Sequence, residues 1–316
     1  MRFYDIFNGD ADGICALHQL RLAEPRPAVL VTGVKRDIAL LGRVTVAPGD
    51  ELTVFDVSLD KNRDALLRAL EDGARVQWFD HHFPGTIPRH PALQTFIDPA
   101  ADVCTSLIVD RHLGGRYRAW AVVAAFGDNL ATAARRAAQP LKLTEDALHR
   151  LQELGECLNY NAYGESVDDL HYHPADLYTT LARYPDPFDF IVDEPVFDVL
   201  RTACADDLAL ASSVTPAFQT GNCISFVLPA AAWSRRISGL FANRLAHDHP
   251  ARAHAVMTLG AGGYVVSVRA PVSRPEGADE LCRKFGGGGR KAAGGIDFLQ
   301  EADVDGFYTE FQKMYS

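Results

Sequence analysis

The sequence predicts an α/β protein with two domains. We expect an N-terminal domain with a largely parallel sheet flanked by helices, then a connecting helix and a smaller C-terminal α/β domain. Three observations predict this: strand-like and helix-like segments alternate in the first half, the middle is helical, and a second alternation follows. A chain of 316 residues is long enough for two cores. The expected limits are 1–190, 191–218 for the connecting segment with its helix, and 219–316.

Short apolar runs predict the strands of the first domain. They are RFYDIF, AVLVTG, LTVFDV, RVQWFD and LQTFID. Segments with helical spacing separate them, such as DGICALHQLRLA and KNRDALLRALEDG. From residue 116 to 184 the pattern is helical, and the proline-rich stretch at 183–195 predicts a break in regular structure and a domain edge.

The remaining elements follow in the second half. VFDVLRTACADDLALASS predicts the connecting helix, and SRRISGLFANRLAH a helix of the second domain. CISFVLP, AHAVMTLG and GYVVSVRAP predict strands, the last two as neighbours. A further helix, a glycine-rich loop, the strand GIDFL and the terminal helix DVDGFYTEFQKMY complete the domain.

Composition narrows the classes of partner and compartment. Apolar residues make up 47% of the chain, and the formal net charge is −10, which argues against a long groove for duplex nucleic acid. A short phosphorylated substrate remains open. No apolar run reaches the length of a membrane span, and we expect no membrane partner. Six scattered cysteines without CxxC spacing argue against structural zinc or disulfides and predict a cytoplasmic protein.

Acidic and histidine side chains recur where predicted strands end. They are Asp10, Asp12, Asp56, Asp80, His81 and His82, with Asp128 in a helical context of small residues. Each acid alone could cap a helix or a turn. The carboxyl ends of parallel strands share one edge, however, so together they predict a ligand site. Carboxylates and imidazoles without thiolates favour Mn²⁺ or Mg²⁺. The number of donors suits two ions about 3.5–4 Å apart, which can activate a water and hold a phosphoryl oxygen.

A glycine run lies near the C-terminus. Four glycines at 286–289 precede Arg290 and Lys291. Glycines let backbone N–H groups turn toward an anion, and the cations add charge, so the run predicts an anion-binding loop. A flexible linker is the alternative, which the apolar elements that follow at once disfavour.

The ordered motifs DADG, VFD, FDHH and GDN resemble the four motifs of the DHH phosphoesterase superfamily. Its members include manganese-dependent pyrophosphatases, nanoRNases, dinucleotide phosphodiesterases and RecJ-like exonucleases. The resemblance implies that Asp10 and Asp12 bind different ions and that Asp56 bridges both. It implies that His81 and Asp128 complete the second ion's ligands.

The resemblance also assigns residues to the substrate. It implies that His82 lies beside the substrate phosphate and that Asp80 orients the two histidines. The stretch GGGGRKAAG resembles the GGGGHxxAAG signature of the C-terminal domain associated with this superfamily, and SVRA resembles its substrate-facing strand. The active site would then lie in the cleft between the domains. The implied substrate-binding residues are Arg269, Gly286, Gly287, Gly288, Gly289, Arg290 and Lys291.

Two departures from the family pattern concern ligands. The first motif usually has a histidine or an aspartate where this chain has Ile6 or Asn8. Isoleucine cannot coordinate a metal, whereas Asn8 offers a neutral amide oxygen and is the remaining candidate ligand. Arg290 replaces the usual histidine of the glycine signature and keeps a phosphate donor with permanent charge.

The residues and the resemblance together imply a phosphoesterase that hydrolyses short oligonucleotides or linear dinucleotides to mononucleotides. It would use two divalent ions, with Mn²⁺ favoured and Mg²⁺ as the alternative. Two alternatives stay open: a single-strand-specific exonuclease, and a catalytically weak nucleotide-binding protein. A homodimer is also left open.

Overall fold

The computed structural model describes all 316 residues and divides them into two compact units, Met1–Thr202 and Ala203–Ser316. The chain passes from one unit to the other within a helix at Pro195–Ser212. This is the predicted connecting helix, and the limits expected at residues 190 and 218 lie on either side of it.

The first unit contains a sheet of five parallel strands, all where the sequence predicts them. They are β1 (Phe3–Phe7), β2 (Val29–Val31), β3 (Glu51–Phe55), β4 (Arg75–Asp80) and β5 (Leu93–Ile97). Their spatial order is β2-β1-β3-β4-β5, so the connections change direction between β1 and β3. In open parallel sheets, ligands bind beyond the carboxyl ends of the strands at such a point.

The first unit also contains eight helices, and a ninth leaves the unit. They are α1 (Ala11–Ala23), α2 (Arg63–Glu71), α3 (Thr105–His112), α4 (Arg118–Gly127), α5 (Ala131–Ala138), α6 (Glu145–Tyr160), α7 (Pro174–Leu181), α8 (Pro187–Asp193) and α9 (Pro195–Ser212). The prediction that 183–195 lacks regular structure is wrong, because α8 lies there. Asp186 caps it, Pro187 occupies the first turn where no N–H is needed, and Phe190 is fully buried in the core.

Close packing of three helices positions the end of α4. A Cβ atom on Gly127 would lie 2.5 Å from the Cβ atom of Ala11 in α1 and 2.7 Å from the carbonyl oxygen of Gly155 in α6. Only glycine allows this approach. The helix then ends, and Asp128 is its C-cap instead of lying inside a longer helix as the pattern indicated. The next residue, Asn129, has a φ of 60°, which breaks the helical path.

The second unit contains a mixed sheet of six strands. They are β6 (Phe218–Gln219), β7 (Cys223–Leu228), β8 (Ala253–Gly260), β9 (Gly263–Arg269), β10 (Gly288–Arg290) and β11 (Ala293–Gln300), with helices α10 (Ala232–Asp248), α11 (Ala278–Lys284) and α12 (Val304–Met314). The spatial order is β10-β11-β9-β8-β7-β6, and only β7 and β8 are parallel. The prediction that β8 and β9 are neighbouring strands is confirmed. Part of the segment predicted to be a glycine-rich loop instead forms β10. None of the helices combines the length and the apolar character that crossing a membrane requires.

Candidate active site

The carboxyl ends of β1, β3 and β4 carry the predicted site residues of the first unit. Asp10 follows β1, Asp56 follows β3, and Asp80 ends β4 just before His81 and His82. Because β1, β3 and β4 are neighbours, these side chains reach one edge of the sheet.

Asp56 has an unusual backbone conformation at the centre of this edge. Its φ is 56°, a left-handed value that non-glycine residues rarely adopt, and its N–H donates to the Phe79 carbonyl oxygen at 3.0 Å. Such strain costs about 1–3 kcal/mol and concentrates at functional sites. The side chain is 3% exposed, so the strained turn holds a carboxylate in a buried position.

Asp56 and the two histidines form the clearest ligand cluster. Each of the three offers one ligand atom, and these atoms lie within 4.8 Å of one another. His81 Nε2 is 3.3 Å from Asp56 Oδ1, which also accepts a hydrogen bond from the Thr105 hydroxyl at 3.1 Å. His82 is the exposed member, with 44% of its side chain accessible to solvent.

Hydrogen bonds fix each imidazole separately. His81 Nδ1 lies 2.9 Å from the carbonyl oxygen of Val103, which can only accept, so this nitrogen carries a proton. In neutral His81 the lone pair is then on Nε2, the atom that faces Asp56. His82 Nδ1 lies 2.7 Å from Asp80 Oδ1. Asp80 thus orients His82, and Val103 instead of Asp80 orients His81.

Asp10 and Asp12 also have structural roles. Asp10 is the N-cap of α1, and its Oδ1 accepts N–H bonds from Asp12 and Gly13 at 3.1 and 3.0 Å. Asp12 lies in the first turn of α1. Its two oxygens accept the N–H groups of Thr105 and Ser106, both at 2.7 Å, so it caps α3 from another helix. The capping interpretation is therefore confirmed for both residues.

Burial and the charges of neighbouring groups shift the pKa values of Asp56 and His81. Burial raises the pKa of Asp56 well above its usual value, and the charges of Asp10 and Asp12 raise it further. Burial alone would lower the pKa of His81, but its bond to Asp56 and the surrounding carboxylates raise it to about 10. Without a bound cation, the raised pKa values of Asp56 and His81 therefore favour their protonated forms. Cation binding must displace these protons, as is usual for buried carboxylate and imidazole ligands.

Lys35 is a site residue that the sequence interpretation missed. Its Nζ lies 2.5 Å from Asp10 Oδ2, 3.5 Å from Asp128 Oδ1 and 3.2 Å from Asn159 Oδ1. Burial would raise the pKa of Asp10, but the Lys35 ammonium holds it below its usual value. Lys35 lies in the loop after β2, where no motif marks it. Only the contact across 25 positions to Asp10 reveals its place.

Asn8 lies beside this ammonium group. Its Nδ2 donates to the Lys35 carbonyl oxygen at 3.3 Å, while its Oδ1 is buried without a hydrogen-bond partner. Asp80 Oδ2 is likewise buried and unpartnered. Buried polar oxygens normally have partners, so both atoms have free capacity to accept a hydrogen bond from water or to bind a cation. The ligand roles that the resemblance implies for Asn8, Asp10, Asp12 and Asp128 stay predictions.

The donors present fit a divalent cation at one end of the site. Asp56 and His81 supply a carboxylate oxygen and an imidazole nitrogen without any thiolate, a set that suits Mn²⁺ or Mg²⁺. At Asp10, the ammonium group of Lys35 already lies against the carboxylate and occupies the place of a cation. A second metal ion does not fit there while Lys35 keeps this contact.

The second unit contains the predicted phosphate-binding residues. Arg269 ends β9, and its Nε donates to Asn243 Oδ1 at 2.6 Å. Arg290 and Lys291 are exposed at the turn between β10 and β11.

The glycine run is less open than the sequence suggested. Gly286 and Gly287 donate their N–H groups to carbonyl oxygens of α11, at 3.3 and 2.9 Å. Gly288 and Gly289 belong to β10, paired with β11. The expected anion cradle of four N–H groups is therefore partly used by the helix end and the hairpin.

Sequence comparison finds no match to any family model and no match to a curated protein. Solved structures do match. The chain is similar to a DHH domain described as a member of the s1p family of ribosomal proteins, with TM-score 0.65 and 12% identity over 99% of this chain and 86% of that one. It is similar to the pGpG-specific phosphodiesterase PggH from Vibrio cholerae, with TM-score 0.55 and 17% identity over 98% of each chain.

A third similar structure is a longer protein. RecJ from Thermus thermophilus, solved with Mn²⁺, matches with TM-score 0.57 and 16% identity over 99% of this chain but only 51% of its own. At these identities the similarity concerns the fold. The chain has the fold of the DHH-domain proteins, as its ordered motifs predicted.

Proposed function

We propose that this protein is a divalent-metal-dependent phosphoesterase that hydrolyses short oligonucleotides or linear dinucleotides to mononucleotides. One observation carries the proposal: Asp56, His81 and His82 converge at the carboxyl ends of the neighbouring strands β3 and β4, next to the point between β1 and β3 where the strand order reverses. The shared fold supports it, since PggH is a pGpG-specific phosphodiesterase and RecJ an exonuclease.

Asp56 and His81 would hold the cation. A bound Mn²⁺ or Mg²⁺ ion would supply positive charge for a phosphoryl oxygen and increase the acidity of water. The strained turn at Asp56 and the Val103 carbonyl at His81 fix both donors in advance, which reduces the reorganisation needed on binding.

His82 would act on the substrate. Burial lowers the pKa of His82, but the bond to Asp80 and the charge of Asp56 outweigh it and raise the pKa above its usual value. With Nδ1 bonded to Asp80, His82 keeps Nε2 for the substrate. A protonated Nε2 can donate to a phosphoryl oxygen or to the leaving oxygen as a general acid.

The second unit would bind the far end of the substrate. We infer that Arg269 and Arg290 donate to a non-scissile phosphate, since guanidinium groups match phosphate geometry. The net charge of −10 argues against tracking of long strands, because phosphate contacts supply most of the affinity for long nucleic acid. The preferred substrate is therefore short.

A single-strand exonuclease is the second candidate, and the similarity to RecJ favours it. The two candidates differ in their dependence on chain length. Purified protein is given single strands of increasing length, starting from a dinucleotide, with Mn²⁺, Mg²⁺ or EDTA, and mononucleotide release is measured. We expect rates to fall beyond roughly five nucleotides, since the net charge of −10 disfavours further contacts to a longer phosphate backbone. Equal or faster release from long strands would favour the exonuclease.

The same panel separates both enzymes from a nucleotide-binding protein. Hydrolysis that EDTA abolishes supports an enzyme. Dinucleotide binding without turnover at any metal concentration would exclude catalysis and leave the binding protein.

A further inference from the structure

Lys35 is fixed at both its backbone and its side chain. Its N–H donates to the Ala162 carbonyl oxygen at 2.9 Å, and its own carbonyl oxygen accepts from Asn8. Its Nζ contacts side chains from three different elements: the N-cap of α1, the C-cap of α4 and Asn159 of α6. The ring of Tyr163 lies 5.6 Å from the ammonium nitrogen. These contacts hold one positive charge at a fixed position.

The position of the ammonium group is also where a two-ion site would need a metal ion. Asp10 is one of the few carboxylates at this edge, and its Oδ2 is bonded to Lys35 at 2.5 Å. An oxygen that binds Mg²⁺ at about 2.0–2.1 Å cannot keep an ammonium group at the same point.

The neutral side chain of Asn8 agrees with this arrangement. A lysine carries one positive charge where a divalent ion would carry two. A site that has exchanged an ion for lysine needs one carboxylate fewer, and Asn8 is uncharged at the position where related sequences usually have a charged or imidazole ligand. The smaller positive charge of Lys35 and the missing negative charge at Asn8 therefore balance each other, and the two residues are joined by a hydrogen bond.

We propose that the ammonium group of Lys35 takes the place of one of two metal ions, so that this site binds a single divalent ion at Asp56 and His81. The inference rests on the proposed function for the identity of the site. Lys35 is in this view a positioning residue. Its ammonium group neutralises Asp10 and holds Asp10 and Asp128 close together without a second metal ion.

The experiment counts metal ions directly. The full chain is equilibrated with Mn²⁺, and bound metal per chain is measured by elemental analysis. Electron paramagnetic resonance then distinguishes an isolated Mn²⁺ ion from an exchange-coupled pair. The wild type is compared with Lys35→Ala, with the double variant Asn8→Asp/Lys35→Ala, with the charge-conserving Lys35→Arg and with the surface control Lys61→Ala.

We expect one isolated Mn²⁺ ion in the wild type, in Lys35→Arg and in Lys61→Ala. The double variant should bind two coupled ions, because it frees Asp10 and restores an acidic ligand. Two coupled ions in the wild type would overturn the inference, and so would a folded double variant that still binds one ion. If the variants fail to fold, the wild-type count alone decides.

The failures of the two proposals can be told apart. Two ions in the wild type together with dinucleotide hydrolysis would refute the single-ion inference and keep the function. One isolated ion without hydrolysis of any substrate in the panel would keep the inference and refute the function.

Discussion

Gly127 links the packing of three helices to the active site, and replacing it by alanine tests that link. The new Cβ atom would lie 2.5 Å from the Cβ atom of Ala11 and 2.7 Å from the Gly155 oxygen, so α4 must shift. Overpacking of this kind costs about 1–3 kcal/mol. Alanine returns up to about 1 kcal/mol of helix propensity. With the full gain subtracted, we expect Gly127→Ala to lower the free energy of unfolding by up to about 2 kcal/mol.

A matched control exists in the second unit. Gly306 lies in α12, and nothing lies within 4 Å of the Cβ atom it would gain. Gly306→Ala should therefore raise the free energy of unfolding by about 0.5–1 kcal/mol. The same substitution in two helices should thus act in opposite directions, as measured by urea unfolding of each variant against the wild type.

The activity of Gly127→Ala should fall as well. The next residue, Asp128, contacts Lys35, and a shift of about 1 Å in such a group can cost about a hundredfold in rate. Gly306→Ala should keep full activity with the best substrate of the length panel. Gly127→Ala with wild-type stability and wild-type rate would refute the claim that this close approach positions Asp128.

Three further predictions concern individual side chains. Asp12→Asn should lower the free energy of unfolding by about 1–3 kcal/mol in urea unfolding, because one N–H group at the start of α3 loses its acceptor; an unchanged value would mean that this cap contributes nothing. Burial lowers the pKa of His18 and of His254 to about 4, so both are neutral in the folded protein while the unfolded chain takes up protons below about pH 6.5. The free energy of unfolding should therefore decrease as the pH falls from about 6.5 to about 4, by about 3 kcal/mol for each histidine. In His254→Leu the decrease should be smaller by the contribution of that one histidine. The same pH dependence in the wild type and in His254→Leu would contradict this. Arg290→Gln should raise KM about tenfold with little change in kcat, since it would remove a contact made equally before and during reaction, and a drop in kcat alone would contradict that role.

The sequence predicts much of the site because of a property of parallel sheets. Asp10, Asp56 and Asp80 are far apart in the chain, but each follows or ends a buried strand, and the carboxyl ends of such strands share an edge. All five strands of the first sheet could be predicted for a similar reason, since buried parallel strands are short apolar runs that turn residues separate.

What the sequence could not reveal depends on contacts between distant loops and helices. Lys35 reaches Asp10 from a loop with no motif, and Asp12 caps a helix 93 positions further along the chain. Neither pairing follows from local periodicity. The glycine run was similarly ambiguous, because glycines serve close strand packing, helix ends and anion binding alike. Only the hydrogen bonds of Gly286 and Gly287 to α11 decide between these uses.

The most direct test of the account compares two aspartates at opposite ends of β3. Asp56 follows this strand in the proposed site, whereas Asp50 precedes it and accepts N–H bonds from Arg2 and Ala47 at 2.7 and 2.9 Å. The measurement is mononucleotide release from a linear dinucleotide as Mn²⁺ is titrated, for the wild type, Asp56→Asn and Asp50→Asn. The account predicts metal-dependent release by the wild type and by Asp50→Asn, and none by folded Asp56→Asn. Wild-type turnover in Asp56→Asn would contradict the assignment of this carboxylate to the active site.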